Sequence, residues 1–278
     1  MKLSRFISLA AALSAASLSA QVSLSSLTNL TYSEDFNSLP FQTTTNPTPA
    51  DTFTKTTFNE KLPGWFVSLG STTGSDVAYN GLTGDGVQSS STIPTLRNYG
   101  NTNSSDRALG LYVGTSTLLA SGALGLVFEN DTGLDVTSFS LGYTGEEWRR
   151  ATDGRLEFQY QIVSSFDGGT YNFRTATGWI DGDSLDFAAP VTGTGSGLDG
   201  NASANRSPFS PVTFNVDLAA NEFLLIRWYD NTRAGMAIDD LTVSFTAVSA
   251  IPEPSTYAAI AGVLALGAVV VIRRRRQS

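Results

Sequence analysis

Cysteine and histidine are both absent from this 278-residue chain. Without cysteine there is no disulfide framework, so the fold rests on its buried core. A cysteine nucleophile and a Ser-His-Asp triad are excluded together. So is a Cys/His zinc site, which leaves hard cations held by oxygen ligands, Ca²⁺ above all. Between the two ends of the chain, no apolar run keeps the 3.6-residue period of a helix. Positive charge is scarce in the same region. Of 17 basic residues, Lys2, Arg5, Arg273, Arg274, Arg275 and Arg276 lie at the ends, whereas Asp and Glu total 25. The stretch between is strongly acidic. That disfavours nucleic acid and anionic lipid heads, and favours cations, neutral glycans or simple colloidal solubility.

What is present is alternation. Leu156, Phe158, Tyr160 and Ile162 alternate with Glu157, Gln159 and Gln161, the pattern of a half-buried strand. Phe139, Leu141 and Tyr143 repeat it, as do Leu241, Val243 and Phe245. Residues 222–229 are apolar on both faces and predict a central strand. Further strands are expected at 31–36, 65–69, 77–79, 108–113, 124–128, 179–180 and 212–216. About eleven or twelve strands of this length predict an all-β, two-sheet sandwich of the jelly-roll kind. Two stretches break the pattern: 42–57, rich in Thr, Asn and Pro, and the Gly-rich 190–211. Both read as long surface loops within a single domain.

The ends read as export and anchoring. Lys2 and Arg5 precede a small-residue apolar run at 6–18, and residues 1–20 form a signal-peptide pattern, with cleavage before Gln21 or, since Leu18 fits poorly at −3, after Ala16. Residues 257–272 carry no charge and no proline. As a helix they would span about 24 Å, slightly short of a hydrocarbon core of about 30 Å, with arginines snorkelling at one end. The arginine cluster sets a cytoplasmic C-terminus and places residues 21–250 on the far side of the inner membrane. Pro252, Glu253 and Pro254 mark an extended stem between body and helix.

Two resemblances follow. Pro252-Glu253-Pro254-Ser255, one short apolar helix and Arg273, Arg274, Arg275 and Arg276, all within residues 251–278, resemble a PEP-CTERM sorting signal. That implies exosortase as a partner, and an exported protein delivered to the cell surface in bacteria that make exopolysaccharide. Asp35-Phe36-Asn37, Gly64-Trp65 and Ala237-Ile238-Asp239-Asp240-Leu241 resemble the opening and closing strands of MAM-like, concanavalin-type carbohydrate-binding jelly rolls.

Pairing of first and last strands would bring Glu34, Asp35 and Asn37 near Asp239 and Asp240. Asp239, read as sharing the core face with Leu241 and Val243, needs a partner there. That partner is an arginine such as Arg227, a turn cap, or a structural Ca²⁺ held by Glu34, Asp35, Asn37, Asp239 and Asp240. For ligand contacts the candidates are Trp148, Asp199, Asn201, Asn205 and Arg206. Adjacent Glu146 and Glu147 point to opposite faces of a strand, which ill suits an acid/nucleophile pair. The reading favoured by the sequence is a non-enzymatic exported surface or matrix protein associated with exopolysaccharide. Its alternatives are a carbohydrate-binding module for a neutral glycan and, more remotely, a glycoside hydrolase working with carboxylates alone.

Overall fold

The computed structural model describes residues 21–39, 59, 61–70, 95–113, 121–248 and 273. The signal-peptide pattern, the apolar helix, Pro252, Glu253, Pro254, Arg274, Arg275 and Arg276 lie outside the described residues, as do the 42–57 loop and the strand expected at 77–79. Arg273 is described as exposed. Among the described residues, no helix is long and apolar enough to cross a membrane.

The described strands, in chain order, are β1 (Val22–Ser23), β2 (Thr31–Glu34), β3 (Trp65–Leu69), β4 (Thr95–Tyr99), β5 (Ala108–Tyr112), β6 (Gly122–Glu129), β7 (Asp135–Arg149), β8 (Arg155–Val163), β9 (Ile180–Asp181), β10 (Phe187–Ala188), β11 (Arg206–Leu218), β12 (Phe223–Asp230) and β13 (Gly235–Val248). They form two sheets. One runs β1-β6-β12-β8-β10, with β3 also on β6 and β9 also on β8. The other runs β11-β7-β13-β5-β4, with β2 also on β13. The sheets face each other across a shared core, because alternating strand residues turn apolar side chains inward from both. Trp65 of β3 and Trp228 of β12 stack at its centre, and Tyr143 of β7 meets Trp228 edge-on from the opposite sheet. Trp65 Nε1 donates to the Tyr32 hydroxyl at 2.8 Å, which satisfies a buried polar group.

As expected, β12 is central: it pairs with β6 on one side and β8 on the other. Its second apolar face is also covered. Leu225 packs with Phe66, Ala123, Val127 and Phe173 in a smaller cluster on the outer side of the sheet.

The strand expected at 31–36, β2, pairs with the last strand, β13, as the sequence suggests, with Leu241 opposite Glu34 and Val243 opposite Tyr32. The far side of β13 is shared: Gly235 to Ile238 pair with β5, and Leu241 to Ser244 with β2. At the changeover the β7–β13 register shifts between Asp239 and Thr242, and Asp240 takes φ of 48°. This bulge changes which residues face inward. Met236 and Ile238 lie in the main core before it, and Leu241, Val243 and Phe245 after it. Asp239 therefore does not share a face with Leu241. It falls on the outer face with Ala237, which packs against Tyr99, Ala108 and Trp148.

The expected 190–211 loop ends earlier, because β11 begins at Arg206 and runs through Pro208 and Pro211. Among the described residues β11 is the outermost strand of its sheet, paired with β7 alone. Proline lacks a ladder donor and is tolerated at such an edge. The β11–β7 register also breaks between Phe209 and Val212.

Candidate functional site

The opening and closing strands do assemble a polar cleft. Glu34, Asp35 and Asp240 line it with Ser33, Ser38 and Thr242, around a volume of about 510 Å³. Glu34 Oε1 accepts from Phe36 N at 2.8 Å, and Asp35 Oδ1 from Asn37 N at 3.1 Å. Burial, then the charge of Asp35, pushes the Glu34 carboxyl up from its ordinary value, against the Phe36 N–H bond. The five candidate Ca²⁺ ligands are not one shell, however. Asn37 turns away and accepts from Arg107 N at 2.9 Å. Asp239 lies beyond the bulge and accepts from Asp240 N at 2.7 Å. Among the described residues no three acidic side chains are grouped to hold a metal ion.

Asp239 has no arginine partner either: among the described residues the ion pair is Arg155 with Asp186. Its neighbours are acidic. Burial raises its carboxyl to about 8, with Glu146, Asp240 and Asp106 adding to the effect. Glu146 rises to about 7, again chiefly through burial. Glu146 Oε2 accepts from Trp148 Nε1 at 2.9 Å, while Oε1 is buried without a partner. Glu147 is tied elsewhere, with Oε2 accepting from Val191 N at 2.9 Å. The two glutamates thus serve separate surroundings, as alternation on a strand requires.

Trp148 is not a ligand platform. It is fully buried and stacks on Tyr99 at 5.6 Å. The loop before β11 folds over it so closely that a Cβ on Gly200 would collide with the indole. Asp199, Asn201 and Asn205 belong to that cover. Asn205 Nδ2 donates to Asp199 O at 2.7 Å, Asp199 Oδ1 accepts from Asn101 Nδ2 at 2.9 Å, and Asn201 N donates to Asp199 at 3.2 Å. Arg206 opens β11 opposite Glu146 and is exposed.

A different surface has the composition of a sugar platform. Of the four tryptophans, Trp65, Trp148 and Trp228 are fully buried, and Trp179 is partly exposed. Trp179 stands just before β9, on the outer face of the seven-stranded sheet. There β8 contributes Glu157, Gln159 and Gln161, and β12 contributes Arg227 and Tyr229. Arg227 lies over both aromatic rings, 4.3 Å from the Trp179 centroid and 5.0 Å from that of Tyr229. Its Nε donates to Gln159 Oε1 at 2.6 Å and its Nη1 to Phe173 O at 2.5 Å. Gln159 in turn donates to Asp181. These bonds fix an aromatic pair beside an amide and two carboxylates, Glu157 and Asp181. Arg227 is therefore not the partner of Asp239; it organises the opposite outer face. The two-sided apolar character of β12 was the sequence signal that this face carries a cover. Which cover residue stays accessible depends on the 164–179 excursion, which strand periodicity does not describe.

No protein-family model and no curated protein matches the chain. Among solved structures it is similar to the enzymatically active domain of tailspike protein 4 of bacteriophage CBA120, at 13% identity and a TM-score of 0.32, over 66% of this chain and 19% of that one. It is similar to the carbohydrate-binding module TmCBM27, described for specific mannan recognition, at 14% identity and a TM-score of 0.32, over 77% and 96% of the two chains. A third is TmCBM61, solved with β-1,4-galactotriose, at 9% identity and a TM-score of 0.29, over 64% and 86%. Likeness this loose does not assign a ligand.

Proposed function

We propose that this protein is a non-enzymatic, exported, surface-associated β-sandwich that holds a neutral glycan on the outer face of its seven-stranded sheet. The observation that carries the reading is the Trp179–Arg227–Tyr229 arrangement beside Glu157, Gln159 and Asp181. Sugar rings offer axial C–H faces to aromatics and hydroxyls to amides and carboxylates, and this face offers those partners. A guanidinium fixed between the rings limits how much order must be acquired on binding.

Trp179→Ala in the full-length chain is expected to weaken retention on the preferred neutral polysaccharide about tenfold or more, equivalent to about 1.4 kcal/mol. Affinity electrophoresis through gels cast with mannan, galactan, xylan or soluble cellulose measures it. Equal mobility of wild type and variant in every gel would overturn the reading.

Export and sorting complete the proposal, with exosortase and the inner membrane as partners of residues 251–278. Deleting that segment should move the protein from the membrane and cell-surface fractions to the soluble exported fraction. Identical partitioning with and without it would remove exosortase from the account.

A further inference from the structure

At the end of β7 lies a second cleft, of about 250 Å³, with a chemistry unlike the rest of this acidic domain. Arg149 and Arg150 enter it from β7 and the turn that follows, and Arg233 from the turn between β12 and β13. Asp153, Thr152 and Thr194 complete its polar lining.

The arginines are held in different ways. The Arg149 guanidinium lies 5.6 Å from the centroid of the Tyr112 ring. The Gly-rich segment packs against it, joined by a bridge between Arg149 and Gly197. Arg150 N donates to Ser196 O at 3.1 Å, while its Nε is buried without a hydrogen-bond partner. Glu147 is close enough to attract Arg150, but its hydrogen bond goes to Val191 N. Among the described residues, neither Arg150 nor Arg233 has a carboxylate within ion-pair distance.

We infer that this cleft binds the carboxylate of one uronic-acid residue in an acidic polysaccharide. Guanidinium groups present paired N–H donors that match a carboxylate, and a partly enclosed site strengthens such bonds. The remaining lining fits a sugar ring better than a bare anion or a phosphate chain. Thr152 and Thr194 offer hydroxyls, and Asp153 accepts from ring hydroxyls while repelling dense negative charge. The volume lies just below the range for drug-sized ligands, about 300–1,000 Å³, and suits a single monosaccharide unit. This site is separate from the Trp179 face and does not depend on it.

The test uses the full-length chain in detergent, at about 0.15 M salt, so that repulsion beyond about 8 Å is screened. Polygalacturonate, its methyl-esterified form and sodium sulfate are the probes. Wild type should bind polygalacturonate at least tenfold more tightly than the ester, and Arg150→Gln with Arg233→Gln should abolish that preference. Trp179→Ala should leave the preference unchanged. Arg233→Gln alone, at an exposed position, should lose part of it and serves if the double variant does not fold by circular dichroism. Equal binding of acid and ester, no binding of polygalacturonate, an unchanged preference in the variants, or displacement of bound polygalacturonate by an equal concentration of sulfate would each overturn the inference.

Discussion

Trp228→Ala is expected to lower the free energy of unfolding by about 3–5 kcal/mol. The side chain is fully buried where the two sheets meet. It stacks on Trp65 with centroids 5.8 Å apart, and meets Tyr143 and Phe158 edge-on, each at 5.7 Å. Removing the indole empties a position in contact with aromatic rings from β3, β7 and β8 together. With no disulfide to restrain the unfolded chain, nothing compensates. A domain of this size typically has about 5–15 kcal/mol in hand, so about a fifth or more would be lost. The melting temperature should fall by roughly 10 °C. Trp228→Phe keeps one ring and should cost about 1–2 kcal/mol. Urea denaturation measures both; a loss below about 1 kcal/mol for the alanine variant would show that the ring cluster is not the centre of the core.

The second large effect is a loss of stability as pH rises. Burial holds the Asp230 carboxyl at about 8, Asp239 at about 8 and Glu146 at about 7 in the folded state. Unfolded, these groups titrate near 4. Below pH 4 both states carry the protons, and the stabilising contribution is fully present. Between pH 4 and about 7–8 the fold retains protons that the unfolded chain releases, so stability declines with pH. Above about 8 the fold must hold the ionised groups and the contribution is gone. Each group adds a slope of about 1.4 kcal/mol per pH unit within its window. Chemical denaturation should therefore give a higher midpoint at pH 5 than at pH 8.5. Asp230→Asn should flatten the profile while keeping the fold, because Oδ1 alone accepts from Thr232 N and Oγ1, each at 2.7 Å. A midpoint that rises from pH 5 to pH 8.5 would contradict the assignment.

Alternation carried most of the fold. Residues 65–69 form a strand with the expected bounds, and 156–162 lie within β8. β12 took the central place that its two apolar faces required. Three features resisted for physical reasons. β4 reads Thr-Leu-Arg-Asn-Tyr, and nothing local says that Arg97 and Asn98 are buried. Pro208 and Pro211 disguised the first half of β11, since they fit a strand only if one side is unpaired. In β13 the bulge at Asp240 reversed the faces, so a count of alternating residues put Asp239 on the wrong side.

The candidate sites divide in the same way. Pairing of β2 with β13 was legible, and so was the meeting of Glu34 and Asp35 with Asp240. Which tryptophan would be accessible was not. Trp148 is hidden by the loop over Gly200, and Trp179 is partly exposed on its excursion. Both outcomes depend on segments without periodicity. The Arg150–Arg233 cleft joins turns about eighty positions apart, a distance that no local spacing reveals.

The prolines of β11 bear on how copies of this molecule behave when crowded together. An outermost strand of 13 residues, left smooth, would offer its open side to the next copy and start a cross-β stack. Pro208 and Pro211 remove two donors from that strand, and the break between Phe209 and Val212 kinks its path. Crowded copies are then expected to stay separate instead of stacking edge to edge.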